Sequence, residues 1–307
     1  MSSDSFSEIF RPKNPKQLIG ESQKKVAQSL LDNVAKGKVI QEVLFSGDSG
    51  IGKTTIARMY IDAVIGETYV FNPFNCGDKT GVNYIREEVI GTMSYLPLDL
   101  KYRVYFLDEI HMLSPEAQNS LLVAIEPVPE HVLLIACTTQ PGKLIPTLRS
   151  RFTEYKLSPP SMGEFQTLSK WICKKEAKTL DDKTRDQVIT LAGGNVRQFV
   201  RYFQQALDGS FNGDEAEKQP EIELVKLILN QPPNFSKWLN AIDESSDFVR
   251  QAIGMVSYSL AVLKNGKVSK PAMAILRHFG NSPSRNIDSK STFCYKLLEV
   301  YEEIIRA

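Results

Sequence analysis

The sequence predicts an α/β domain built on a parallel β-sheet, followed by two all-helical regions. Two observations carry that expectation. Between about Val26 and Tyr155, four short runs, QEVLFSG, ETYVFNP, RVYFLDE and HVLLIACTT, alternate with helical patterns. Their central stretches are apolar throughout rather than alternating, as strands buried on both faces require. Beyond Tyr155 the pair Pro159-Pro160 punctuates the chain, and only helical patterns follow. Strand–helix–strand rhythm implies crossover helices over a parallel sheet.

At 307 residues and 42% hydrophobic, the chain is long enough for two or three domains with buried cores. The formal net charge is +1, which excludes a generally basic nucleic-acid coat, so any such contact must be local. Cys76, Cys137, Cys173 and Cys294 are far apart and unpaired, and with only His111, His131 and His278 no zinc site can be read. Reduced structural thiols in a cytoplasmic protein are the expectation. The polar start MSSDSFSEIF does not read as a signal peptide, and no apolar run is long enough to span a bilayer.

Taken in order, the first strand, QEVLFSG, runs into GDSGIGKTT, Gly47 to Thr55. Gly47-x-x-x-x-Gly52-Lys53-Thr54 is the P-loop pattern, set between a strand and the helix KTTIARMYIDAVI. Glycines let backbone N–H groups of Asp48, Ser49, Gly50, Ile51 and Gly52 close around phosphates, and the helix N-terminus adds partial positive charge. Lys53 is expected to reach the β- and γ-phosphates of ATP, the Thr54 hydroxyl to bind Mg²⁺, and Thr55 to complete the cradle. VNYIREEVIGTMSYL then reads as a helix. RVYFLDE ends in two carboxylates: Asp108 to hold Mg²⁺ through its water shell, Glu109 to orient and polarise the attacking water. An acidic pair at a helix start is the plainer alternative.

SPEAQNSLLVAIE is a helix with Ser114 as N-cap and Pro115 at its first position. HVLLIACTT ends in Thr138-Thr139, where a hydroxyl can meet the γ-phosphate or the water, although threonine is common at strand ends. In TLRSRF, Arg149 and Arg151 read by spacing alone as surface arginines, with an arginine finger as the alternative. SMGEFQTLSKWICKKEA, DKTRDQVITLAG and VRQFVRYFQQAL form a small helical domain, in which Arg197 of GGNVRQF starts a helix. The segment from Gly209 to Pro220 reads as a linker, and residues 221–307 as helices again.

The order of these pieces resembles an AAA+ ATPase of the sliding-clamp loader group. FRPKNPKQLIG resembles the motif that places an Arg-Pro pair, here Arg11 and Pro12, by the adenine. GDSGIGKTT resembles Walker A and YFLDE Walker B. The stretch from DEIHMLSPEAQ to TLRSRF is similar to the bacterial DNA polymerase III gamma/tau subunit. FNCGDKTGVNYIREEV resembles replication factor C small subunits, and GGNVRQF the sensor 2 motif. The likeness runs from about Glu8 to Asp208.

That resemblance implies Thr138 as sensor 1, Arg197 as sensor 2 and Arg151 as a finger acting in a neighbour's site. The Ser-Arg-Cys motif reads Ser150-Arg151-Phe152 here, which leaves the subfamily open. Arg86 falls where the family contacts the DNA backbone; Ile90, Met93 and Tyr95 fall where it touches the clamp, with core packing the alternative for Met93 and Tyr95. Paired cysteines of the gamma/tau zinc module are absent between Thr55 and Lys101, and the long tau-type tail is absent too, so the likeness is to a replication factor C-like or phage-type small subunit. The implied architecture is an AAA+ core over 1–158, a helical lid over 159–209, a linker over 210–220 and a helical collar over 221–307. Implied partners are other loader subunits in a ring, a pentamer by analogy, a sliding clamp and primer–template DNA, with no membrane; an infected host's cytoplasm would be the compartment of a viral chain. A RuvB-like Holliday-junction motor and a non-hydrolysing structural subunit are the alternatives.

Overall fold

The structure, a computed structural model, describes residues 6–66, 74–77, 81–96, 101–212, 220–230, 232–242, 255–256, 259, 269–280 and 290–306. The chain divides into two compact units. The first comprises residues up to 164 together with 195–197; the second comprises 165–194 and 198 onward.

Five parallel strands organise the first unit: β1 (Glu42–Ser46), β2 (Phe74–Asn75), β3 (Arg103–Asp108), β4 (Val132–Thr138) and β5 (Thr153–Lys156), in the order β2-β3-β4-β1-β5. Helices α1 (Glu21–Ala35) and α2 (Lys53–Ile65) contribute to one face; α3 (residues 82–93) and α4 (Pro115–Ala124) contribute to the other. Strand residues alternate between these two cores. Leu44, Tyr105, Leu107, Leu134 and Ala136 join Ile85, Val89 and Leu121 on one face. Val43, Phe45, Phe106, Leu133 and Ile135 join Leu30, Ile56 and Tyr60 on the other. Apolar side chains are therefore needed at every position of a central strand, and all seven residues of β4 are buried. Each such Leu or Ile contributes about 1.5–3 kcal/mol on burial.

Two strands differ from expectation. The run ETYVFNP covers residues 67–73, which lie outside the described residues, and β2 follows it directly. β5 was not among the four expected strands. Its sequence, TEYK, is exposed or half-buried and lacks a continuous apolar run, because it pairs only with β1 at the sheet edge. In α3 the middle, Ile85–Ile90, is π-helical. α4 opens as its sequence predicts: the Ser114 hydroxyl accepts the Ala117 N–H at 3.2 Å.

In the second unit, α6 (Asp182–Ala192) is capped by Asp181, which accepts the Thr184 N–H at 2.9 Å, and stops at Gly193 in the left-handed region, φ 56°. α5 (Met162–Glu176) and α7 (Val196–Leu207), whose first residues lie in the first unit, meet through Phe165 and Phe199, ring centroids 4.9 Å apart. α8 (Pro220–Asn230), α9 (Phe235–Asn240), α10 (Lys270–Phe279) and α11 (Lys290–Arg306) share a core of Ile228, Trp238, Phe279, Phe293 and Leu297. The expected linker lies mostly at 213–219, outside the described residues. No helix among the described residues is long and apolar enough to cross a membrane.

Candidate functional site

The C-terminal ends of β1, β3 and β4 converge, as parallel α/β sheets place their ligand crevices. Ser46 pairs with Thr138 across β1 and β4, and the Gly47 N–H donates to the Thr138 carbonyl at 3.2 Å. The chain then turns through Gly47 at φ 146° and Gly50 at φ 72°. A Cβ on Gly47 would stand 2.5 Å from the Leu157 carbonyl oxygen, and one on Gly50 would overlap the Asn195 side chain. Gly47 thus requires glycine for space as well as for backbone angle, whereas Gly50 requires it for the angle, with the Asn195 side chain able to shift.

Gly52 precedes α2 in the left-handed region, and no side chain caps that helix. The first-turn N–H groups, beside the half-buried Thr54 and Thr55, are thus left as donors of the kind that suits an anion. Lys53 is buried, and its ammonium donates to the Gly47 and Asp48 carbonyls at 2.8 and 2.9 Å. Burial pushes its pKa down, opposed by the charges of Glu109, Asp108 and Asp48 among others. Asp48 itself is pushed up by burial, against the pull of Lys53.

Asp108 ends β3 and accepts the Glu109 N–H at 3.1 Å. Burial and then the Glu109 charge raise its pKa. Glu109 sits in the left-handed region, φ 51°, ψ 48°, a conformation costing roughly 1–2 kcal/mol for a residue with a Cβ. Its Oε2 accepts from both the backbone N–H and the hydroxyl of Thr139, each at 3.1 Å. His111 Nδ1 lies 3.2 Å from the same oxygen. Burial raises the Glu109 pKa, but His111, the Lys53 charge and the Thr139 amide outweigh it, leaving the carboxyl below its ordinary value. Thr138 is fully buried; its hydroxyl lies 3.0 Å from His111 Nδ1 and accepts the Gln140 N–H at 3.1 Å.

Residues 195–197 return to this unit, with the Arg197 N–H donating to the Gly50 carbonyl at 3.3 Å. The Arg197 charge reaches Asp108, whose pKa it pulls down, and Arg11. Burial lowers the Arg11 pKa; Glu8, paired with it at 2.8 Å, opposes this, and the charges of Arg58 and Arg197 add to it. Arg11 Nη1 is buried without a hydrogen-bond partner. Pro12 follows it, half-buried.

ATP fits this donor set: the Lys53 and Arg197 charges and an uncapped helix start are complementary to a polyanion, and the orphaned Arg11 N–H offers a donor to another part of the nucleotide. Mg²⁺ fits as well. Among the described residues no three His, Cys, Asp or Glu side chains form a metal cage. One or two hard protein oxygens plus phosphates are the usual magnesium environment, and Thr54 and Asp108 offer such oxygens.

Other expected site residues lie apart from this set. Arg86 is exposed in the π-helical stretch of α3. Arg151 pairs with Glu126 and influences Glu42, at the start of β1. It precedes Thr153, which pairs with Val43, so it stands at the sheet edge opposite the loop, roughly 15 Å away at the usual strand rise. Arg149 is bound by Glu154 at 2.6 Å, and Glu154 accepts the Ser46 hydroxyl at 2.5 Å. Met93 is buried in the core, whereas Tyr95 is 62% exposed; Ile90 is half-buried and packs against the same core. Sequence reasoning named Thr139 beside Thr138 as a hydroxyl at the strand tip, without its link to Glu109, and missed His111 and Asn195 as parts of the site. Both had a local signal: His111 lies two residues past Glu109, and Asn195 lies within GGNVRQF, two residues before Arg197.

Residues 43–159 match the family described as ATPase family associated with various cellular activities (AAA). The chain is 30% identical over 224 residues to DNA polymerase III subunit gamma of Buchnera aphidicola, covering 66% of this chain and 61% of that one. It is 31% identical over 202 residues to the replication factor C small subunit of Methanococcus maripaludis, covering 65% and 63%. The chain thus spans about three fifths of the length of these relatives. Among solved structures, the Thermotoga maritima RuvB Holliday junction branch migration motor superposes with a TM-score of 0.59 at 20% identity, over 86% of this chain and 93% of that one. Likeness at that identity establishes the fold.

Proposed function

We propose, from the match of residues 43–159 to the model of the AAA family of ATPases, that the chain is an ATPase subunit of a sliding-clamp loader. It would use ATP binding and hydrolysis to open a clamp and load it onto primer–template DNA. The observation that carries the reading is the similarity to two replication subunits, bacterial gamma and archaeal replication factor C, which extends well beyond residues 43–159.

In this reading the loop from Asp48 to Gly52 and the start of α2 cradle the phosphates, with Lys53 as counter-charge. Thr54 and Asp108 hold Mg²⁺, which when bound neutralises charge on the phosphate oxygens. Glu109 orients and polarises the attacking water. Thr138 and Arg197 face the terminal phosphate, and Arg11 and Pro12 flank the adenine. Arg151 serves the site of a neighbouring subunit; its position at the far edge of its own sheet supports a role in trans. Arg86 contacts DNA phosphates, which position without reading sequence. Residues 159–209 act as the lid and 221–307 as the collar joining subunits of a ring.

Steady-state ATP hydrolysis, with and without the clamp and primed DNA, tests this directly. Synergistic stimulation by both is expected. Stimulation by four-way junction DNA with indifference to the clamp would replace clamp loading with branch migration. ATP binding without turnover in any mixture would replace it with a non-hydrolysing structural role. Removal of residues 221–307 should abolish oligomers; their persistence would refute the collar.

A further inference from the structure

His111 lies in the short 3-10 turn Ile110–Met112 and is enclosed, with 4% of its side chain exposed. A single atom, Nδ1, faces two oxygens: Thr138 Oγ1 at 3.0 Å and Glu109 Oε2 at 3.2 Å. A ring nitrogen presents either a proton or a lone pair. With a lone pair, the Thr138 hydroxyl would donate to it, and the Glu109 carboxylate, an acceptor only, would face a second acceptor. With a proton, both oxygens can accept, and the carboxylate does so in a charge-assisted bond. The pair of contacts therefore selects the form carrying hydrogen on Nδ1.

That selection has two consequences. Glu109 Oε2 gains a third donor beside the N–H and hydroxyl of Thr139. Thr138 Oγ1, which already accepts the Gln140 N–H, meets another donor at Nδ1, so its own proton is not consumed by His111.

We propose that His111 is a positioning residue for ATP hydrolysis: its Nδ1–H fixes the Glu109 carboxylate and also sets the polarity of the Thr138 hydroxyl, leaving that proton for an acceptor on the nucleotide. One nitrogen atom thus couples the residue that orients water to the residue that senses phosphate. This inference rests on the ATPase reading above.

Two variants separate positioning from packing. In His111→Asn the amide nitrogen can stand near the place of Nδ1; His111→Leu fills similar space without a polar atom. The full chain would be assayed under its best-stimulated conditions for kcat, KM and the binding of a fluorescent ATP analogue. His111→Leu should lose about ten- to hundredfold in kcat, the range expected of a hydrogen bond to a charged group. Its nucleotide affinity should stay within about twofold, and His111→Asn should recover most of the loss. Thr138→Val should cost less in the His111→Leu background than alone. Wild-type turnover by His111→Leu, equal losses in Asn and Leu, or additive effects with Thr138→Val would overturn the proposal.

Nitrogen-15 NMR of the imidazoles, with His111 assigned by its loss in His111→Asn, reads the tautomer without reference to turnover. Hydrogen on Nδ1 is expected, and a neutral ring with hydrogen only on Nε2 would refute the geometry. Absence of hydrolysis by the wild-type chain in every mixture would refute the ATPase reading and the positioning role with it, whatever the tautomer.

Discussion

Thr139 closes on one carboxylate oxygen of Glu109 from two directions, its backbone N–H and its hydroxyl both 3.1 Å from Oε2. Glu109→Gln should abolish turnover and spare nucleotide binding. Thr139→Ala keeps the backbone donor and loses the hydroxyl, so kcat should fall about five- to tenfold, the equivalent of one ordinary hydrogen bond. Single-turnover kinetics check both, and undiminished turnover in Glu109→Gln would remove that residue from the chemistry.

Arg151 stands at the opposite edge of the sheet from its own phosphate loop. Arg151→Ala should lose stimulated hydrolysis and keep ATP binding. Mixing Arg151→Ala chains with Glu109→Gln chains should restore part of the activity, because some junctions then combine an intact finger with an intact carboxylate. A mixture as inactive as its components would place the arginine's effect in cis.

Met93 and Tyr95, two residues apart, should part company in experiment. Met93 is buried at 3% exposure and Tyr95 stands out at 62%. Met93→Ala should cost about 2–5 kcal/mol in denaturant unfolding. Tyr95→Ala should change stability by about 0.5 kcal/mol or less and reduce stimulation by the clamp. Full clamp stimulation in Tyr95→Ala would show that this face is not the docking surface.

Glu154 supplies a pH signature. Burial pushes its carboxyl up, but the Ser46 hydroxyl and Arg149 outweigh that and hold it below the ordinary 4.5. Its carboxylate therefore contributes full stability above about 4.5, and the contribution is lost as pH falls through the depressed folded value. Glu154→Gln should melt below the wild type at pH 7, with the gap closing towards pH 3. A gap that stays constant across that range would show that the ion pair does not set acid stability.

The central strands were legible in the sequence because burial on both faces imposes continuous apolar runs, and α2 and α4 because their start signals are local. β5 was not, since an edge strand such as Thr153–Lys156 needs no such run. Lys53, Asp108 and Glu109 stood out because each lies at or beside a strand end. The link from Glu109 to Thr139 and His111 was hidden, because it depends on a left-handed backbone at Glu109 that no neighbouring residue announces. Arg149 and Arg151 looked alike by spacing; only the fold gives one to Glu154 and the other to the far edge of the sheet.

The allotment of Asn195 to Arg197 to the first unit governs how the protein can be cut. The polypeptide passes between its two units at 164, at 194 and again at 197. A fragment ending near residue 164 would keep the five strands found among the described residues yet lack the backbone N–H that meets the Gly50 carbonyl and the side chain that lies against Gly50. Proteolysis within residues 210–220 severs none of these passages, so a fragment released there retains the complete phosphate loop.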